Sequence, residues 1–272
     1  CRTFESCLGR HFFYNLDRHF VLDVFFFIFL IYFIEVIFVI IIDPGHGGWD
    51  PGGGSNNYFK EKDLALKISN YEHNRLNEIG IPNVLVRSSD ETLAPNDRLN
   101  RISKLGASES DILISNHINT GGSSGGEIIY SLRGDNELPM IISENLEEAG
   151  LSIRNVYQRV GKTGKDYYFI LRGTTPNKAM IIEYGFADNK KDTDMLVYNW
   201  QNLAEAVVKS LASYYKVPYT PPTYQIHVVR PNESLYSISK EYNTSIDKIK
   251  KDNNLTNNTI YPRMELIINE KN

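Results

Sequence analysis

The chain has 272 residues, 42% of them hydrophobic and 23% charged, a globular composition that excludes a wholly disordered, collagen-like or polytopic membrane protein. A formal net charge of −4 at pH 7 leaves no broad basic field, so no nucleic-acid partner is expected. Its two cysteines, Cys1 and Cys7, both lie at the N-terminus, so no disulfide framework or cysteine-ligated metal site can hold the body of the chain.

Residues 24–42 (VFFFIFLIYFIEVIFVIII) form an almost unbroken apolar run. Its length approaches that of a membrane span. However, Glu35 lies inside it, where a carboxylate is costly, and the flank before it mixes Arg10, Asp17, Arg18 and Asp23, with no positive-inside signal. The last few residues are also needed as a soluble strand, which leaves about 15 for a bilayer that requires ~20. Residues 1–37 are therefore read as a hydrophobic extension, either an uncleaved membrane anchor or a non-native start. Membrane contact is expected only if 24–38 is a real anchor.

From residue 39 the pattern becomes strand, loop, helix. Residues 39–43 (VIIID) are a β-branched run that ends at Pro44-Gly45, and a glycine-rich loop follows to Gly54. Residues 61–79 read as a helix with Leu64, Ile68, Tyr71, Leu76 and Ile79 near one face and Gly80 at its end. A short strand at 83–86, a helix at 96–105 and a strand at 111–115 (DILIS) come next. A strand at 127–132 follows the GGSSGG loop of 121–126, and a helix is expected at 138–149. Residues 179–183 (AMIIE) form another strand, and 193–215 read as mostly one long helix. Apolar strands alternating with helices imply an α/β fold: a mostly parallel twisted sheet with helices on both faces. Residues 217–223 (VPYTPPT) carry three prolines and read as a stiff linker at a domain boundary. The remainder reads strand, helix, helix, strand, with Ser245 as an N-cap.

Three strands end in candidate catalytic groups. The first leads to His46, the 111–115 strand leads to His117, and the 179–183 strand ends in Glu183. In an open α/β sheet ligands gather at the carboxyl ends of the strands, so parallel strands would bring these three side chains together. Glu61, at the start of the first helix, can fold back over the same edge. Two imidazoles and a carboxylate form an ordinary three-ligand shell for catalytic zinc, with the fourth position open to water. A second carboxylate can then move the water's proton. Taken singly, each residue has a plainer reading: a loop histidine is usually a surface group, and Glu61 could simply be an acid favoured by the helix dipole. Glu183, directly after a buried run, needs a partner or a function. His11, His19, His73 and His227 lack this setting and read as structural or surface groups. Gly161-Lys162-Thr163 is not a P-loop, because Val156 stands where that motif needs glycine.

Asp43-Pro44-Gly45-His46-Gly47-Gly48, Glu61-Lys62-Asp63-Leu64, Ser115-Asn116-His117-Ile118-Asn119 and Glu183-Tyr184-Gly185-Phe186 with Asn189 resemble, in order, the motifs of the zinc-dependent N-acetylmuramoyl-L-alanine amidases (Amidase_3). The resemblance implies that Zn2+ is held by His46, Glu61 and His117, with Glu183 as the catalytic carboxylate. Arg87 and Arg98 match recurrent arginines for which a structural role is expected. Asn116 and Tyr184 depart from the usual smaller residues at their positions. The C-terminal segment (Tyr224-Gln225-Ile226-His227-Val228, Glu233-Ser234-Leu235, Asn253-Asn254-Leu255, Ile260-Tyr261-Pro262) is similar to a LysM module, which binds N-acetylglucosamine-containing glycans. Pro231-Asn232 and Arg263-Met264 depart from the usual residues in the loops expected to frame its sugar groove.

The resemblance thus implies a peptidoglycan hydrolase that cuts the amide between N-acetylmuramic acid and L-alanine with a zinc-activated water. The expected domains are a catalytic domain over 38–216, a linker over 217–223 and a wall-targeting LysM module over 224–269. The alternatives are a zinc peptidase acting on the stem peptide and a catalytically inactive glycan-binding protein. A monomer, extracellular or wall-associated, is expected; phage endolysin, autolysin and spore-cycle enzyme all remain open.

Overall fold

Isoleucine-rich strands build the centre of the molecule, because β-branched side chains lose little freedom in extended backbone and pack well on a pleated surface. The computed structural model describes residues 38–269; the expectation of an anchor or non-native start over 1–37 lies outside them. Among the described residues no helix is long and apolar enough to cross a membrane. Strand β1 (Ile40–Pro44) is buried throughout. It is flanked by β2 (Asn83–Leu85) and β3 (Ile112–Asn119), and beyond them lie β6 (Lys178–Phe186), β4 (Gly126–Tyr130) and β5 (Ile153–Tyr157), in the order β2-β1-β3-β6-β4-β5. Neighbours from β2 to β6 are parallel, whereas β4 runs antiparallel to β6 and β5 runs parallel to β4. The mostly parallel α/β sheet expected from the sequence is therefore present, with two reversed strands at one side.

Side chains alternate across the sheet. Ile40, Ile42, Ile112, Ile114, Met180 and Ile182 enter one core with helices α1 (Glu61–Glu78), α3 (Glu137–Glu148) and α6 (Trp200–Tyr214). Ile41, Leu113, Ala179 and Ile181 enter a second core on the other face, with α2 (Pro95–Lys104) and the short α4 (Phe169–Arg172). The helix expected over 193–215 is in fact two helices, α5 (Lys190–Tyr198) and α6. Asn199 leaves helical geometry between them at φ −131°.

A polar cluster lies inside the first core. Glu72 of α1 is fully buried. Tyr184 donates its hydroxyl to Glu72 Oε1 at 2.8 Å, and Asn116 donates Nδ2 to Oε2 at 2.6 Å and to Ser69 Oγ at 2.9 Å. The two departures from the family pattern, Asn116 and Tyr184, thus share one partner. Burial pushes the Glu72 carboxyl up to about 8, although both hydrogen bonds pull the other way.

The C-terminal unit pairs β7 (Tyr224–Val228) antiparallel with β8 (Glu265–Asn269) and packs α7 (Leu235–Glu241) and α8 (Ile246–Asp252) over them. Ser234 and Ser245 cap the two helices through Ser237 and Lys248 backbone N–H groups. Its own core is Val229, Leu235, Ile238, Ile249, Leu266 and Ile268. The unit is fastened to the larger sheet body. Glu265 accepts from Trp200 Nε1 at 2.9 Å and pairs with Lys67, and Gln201 accepts from the Ile226 backbone. Val228 is buried in the larger body's core. Even the proline-rich stretch is tied down: Tyr219 donates to Glu205 at 2.8 Å, and Arg75 donates to the Thr220 carbonyl.

Two outcomes follow for stability. The native state keeps the Glu72 proton between about pH 4.5 and 8, whereas the unfolded chain sheds it, so this group's contribution to stability falls as pH rises through that window. Glu72→Gln has no proton to lose, so its Tm relative to wild type should be higher at pH 8 than at pH 5; an equal difference at both values would show that burial does not hold the proton. Truncation after Thr223 should lower the Tm of the sheet body, because it uncovers Trp200 and removes Val228 from the core; an unchanged melting curve would show that the contact contributes nothing.

Candidate metal centre and active site

The parallel register sets up the site. Pro44 pairs with Asn116, and His117 pairs with Glu183, so the carboxyl ends of β1, β3 and β6 meet at one edge. After β1 the chain turns sharply: His46 sits in the left-handed region at φ 58°, which is strained for a residue with a β-carbon. Two buried arginines hold that turn. Arg87 donates to the carbonyls of Pro44 at 3.1 Å, Gly45 at 2.8 Å and Lys62 at 2.8 Å. Arg98 donates to the carbonyls of Pro44 at 2.8 Å and His46 at 2.6 Å and pairs with Asp43. These bonds give both arginines the structural role expected of them.

Glu61, at the first turn of α1, points back over the sheet edge. Its Oε1 lies 3.1 Å from His46 Nε2 and 3.0 Å from His117 Nδ1. The ligand atoms that the three residues offer all fall within 4.8 Å of one another. Backbone N–H groups of Gly54 and Ile118 donate to the same carboxylate at 2.7 and 3.0 Å. The plainer reading of Glu61 as a helix-dipole acid does not account for this aim. Burial alone would raise the Glu61 carboxyl, yet the adjoining His117 and His46 outweigh it and hold it well below the usual range. Burial likewise opposes protonation of His46, but hydrogen bonds and charge from Glu61, then Asp50, raise it to about 9. Such a cluster either binds protons or binds a cation in their place.

Glu183 stands beside this trio, half-buried along a cavity of about 300 Å³ that His46 and His117 also line. Its Oε2 is cut off from solvent and has no hydrogen-bond partner. A buried carboxylate oxygen left unpaired is uncommon and calls for an explanation. Burial pushes the group up to about 7; nearby His117 lowers it, while Glu61 and Glu127 add to the rise. The trio is arranged as for a divalent ion: two of its three ligand contacts, at 3.0 and 3.1 Å, lie near the roughly 3.3 Å edge of a tetrahedral shell with ligands at 2.0–2.1 Å, and all three ligand atoms lie within 4.8 Å of one another. The mixed nitrogen and oxygen donor set suits zinc.

Sequence reasoning missed two residues. Asp50 accepts from His46 Nδ1 at 2.7 Å, the outer partner that a ligating imidazole normally has; its signal was an acid four residues after His46 in the same loop. Glu127 faces Glu183 across the β4–β6 ladder, paired with Arg154 and accepting from Asn119 at 2.9 Å. The GGSSGG segment is anchored as well, with Gly121 and Gly122 donating to Asp188 at 3.1 and 2.6 Å and Gly125 to Asp192 at 2.7 Å.

Comparison with known proteins agrees with this geometry. Residues 40–213 match the Amidase_3 family, described as N-acetylmuramoyl-L-alanine amidase, and residues 227–269 match the LysM domain. An uncharacterised Bacillus subtilis (strain 168) protein, YqiI, is 31% identical over 180 residues, covering 65% of this chain and 84% of the relative. The Bacillus licheniformis N-acetylmuramoyl-L-alanine amidase CwlM is 35% identical over 159 residues, covering 58% of this chain but only 60% of the relative. Among solved structures, the catalytic domain of the amidase CwlV from Bacillus (Paenibacillus) polymyxa var. colistinus superposes with a TM-score of 0.58 at 25% identity, over 67% of this chain and all of that one.

The Asp50 contact carries its own test. Asp50→Ala should weaken divalent-metal binding roughly 10–100-fold, the usual loss when an imidazole's outer partner is removed, as read by competition with a chromophoric chelator. Wild-type affinity in the variant would show that Asp50 only caps the loop.

Proposed function

The chain belongs to the N-acetylmuramoyl-L-alanine amidase family, and from that premise we propose that it cleaves peptidoglycan between the lactyl carbonyl of N-acetylmuramic acid and the nitrogen of L-alanine. In this reading His46, Glu61 and His117 hold zinc, and Glu183 is the catalytic carboxylate. The observation that carries it is the unpaired Oε2 of Glu183 beside a His-Glu-His trio whose two histidines line the same cavity as Glu183.

A zinc ion held there supplies Lewis acidity, which polarises an amide carbonyl and makes water nucleophilic near neutral pH. The Glu183 carboxylate, which lines the cavity, accepts the proton of the attacking water. Its rise to about 7 matches a group that must both take and return a proton at neutral pH. The same carboxyl then gives the proton to the L-alanine nitrogen as the carbon–nitrogen bond breaks. The products are a free carboxyl on the sugar and a free amine on the peptide, so atoms and protons balance. Asp50 fixes the His46 ring, and Arg98 fixes its backbone. The apolar side of the cavity, with Leu93, Phe169 and Ile170, excludes water from the amide.

The proposed organisation is a catalytic module over 38–216, a connecting segment over 217–223 and a LysM module over 224–269 that holds N-acetylglucosamine-containing glycan. A wall-associated or extracellular location follows from that substrate.

Glu183→Gln should retain one zinc per chain and lose on the order of 10²–10⁴-fold in turnover, assayed as new amino groups released from purified sacculi. Wild-type turnover in this variant would remove Glu183 from the mechanism. Chelation should stop wild-type release and added zinc restore it. Mass analysis should find intact stem peptides freed from glycan; fragments cut within the peptide would instead identify a peptidase.

A further inference from the structure

Trp49 is 94% exposed, the wrong place for an indole whose only task is packing. Among the described residues its ring has no aromatic, cation or hydrogen-bond partner. Yet the backbone beneath it is firmly fixed. Gly47 and Asp50 exchange two backbone hydrogen bonds at 3.1 Å, closing a tight turn over Gly48-Trp49. Gly48 donates to Asp90 at 2.7 Å and Trp49 to Thr92 at 3.1 Å. Lys62 donates to the Gly48 carbonyl at 2.8 Å and pairs with Asp90 at 2.6 Å. The turn is thus a rigid pedestal holding a large flat ring in water. It lies three residues after His46 and one before Asp50, the residue that orients His46, so the Trp49 Cα lies within about 11 Å of the His46 Cα.

A second exposed ring repeats the pattern. Tyr58, 59% exposed, lies on the same loop three residues before Glu61. The guanidinium of Arg263 sits 5.7 Å from its ring centre. Arg263 belongs to a loop of the C-terminal unit expected to frame the LysM sugar groove. The other framing loop also reaches the larger body, with Arg230 5.4 Å from the Tyr198 ring. The loop that starts at His46 and leads into Glu61 therefore extends from the active-site edge to the rim of the LysM-like unit, with an exposed aromatic near each end.

We propose that Trp49 and Tyr58 form a binding platform for the glycan strand, with the apolar face of an N-acetylhexosamine ring stacked on Trp49. This rests on the peptidoglycan reading and adds a sugar site to it. A sugar ring presents a row of C–H groups on one face, which suits the negative face of an indole. A preformed ring on a fixed turn loses little entropy when it binds. The stem peptide is the competing occupant, and the test separates the two.

The chain has only two tryptophans, and Trp200 is 4% exposed, so iodide quenching of the full-length zinc protein reports mainly Trp49. Peptide-free strands of alternating N-acetylglucosamine and N-acetylmuramic acid should shield that emission, free stem peptide should not, and Trp49→Phe should abolish the shielding signal. On glycan-linked substrate Trp49→Ala should raise KM by on the order of 10-fold, with Trp49→Tyr restoring most of the loss. Shielding by peptide instead of glycan, shielding by neither, or an unchanged KM in Trp49→Ala would each overturn the platform. The quenching arm needs no turnover; wild-type protein that is shielded by glycan yet releases no peptide from sacculi would instead overturn the amidase reading alone.

Discussion

The site depends on a single buried carboxylate. Glu61 is 2% exposed and, among the described residues, no lysine or arginine pairs with it. A charge so placed is tolerated only when every oxygen is answered. Two imidazoles and two backbone N–H groups answer it. Much of the local sequence follows from that requirement. A β-carbon on Gly52 would lie 2.4 Å from Glu61 Oε2, and one on Gly45 would lie 2.4 Å from the His117 ring. Gly52 is therefore what lets backbone close over the carboxylate, and Gly45 what lets it close over the His117 ring.

Strand alternation serves core and site together. Asn116 and His117 are adjacent on β3, and Glu183 and Tyr184 are adjacent on β6. His117 and Glu183 line the cavity, while Asn116 and Tyr184 point to the opposite face and meet at Glu72. A polar knot under the sheet thus fixes the register of the two strands whose other faces carry His117 and Glu183. A one-residue slip would exchange the two sets of side chains, placing His117 and Glu183 in the apolar core. Polar groups in a core can specify such a register even where they add little stability.

The sequence reveals most where residue type and position agree. Apolar runs ending in His46, His117 and Glu183 reveal the strands and their common edge, and the helix opening at Glu61 is visible from its period. Other features have weaker local signals. Strand β5 is an edge strand with its middle exposed, so it lacks the apolar run that marks β1 or β3. Helix α4 is four residues long, shorter than any periodic pattern can register. The reversal of β4 against β6 depends on how the chain returns through the GGSSGG segment, which Asp188 and Asp192 hold from another element. The break at Asn199 is hidden because both flanking helices place apolar residues on the same core. Asp50 and Glu127 are visible only as acids; their roles depend on partners brought near by folding.

The proline-rich stretch shows the same gap between local and global information. Three prolines in seven residues suggest a spacer, and a spacer suggests that two weak sites gain avidity through an effective concentration set by its length. The segment is instead bonded along its course to Glu205 and Arg75. The unit after it is held by Glu265, Gln201 and Val228. With the connection fixed, linker length no longer sets the gain. What matters is whether one strand can engage both sites in the single arrangement that the interface allows. A rigid arrangement concentrates the benefit on substrates of matching geometry and withholds it from the rest, since avidity vanishes when simultaneous engagement is forbidden. In the proposed function the C-terminal unit therefore acts through orientation, and its contribution should depend on the interface residues as much as on its own groove.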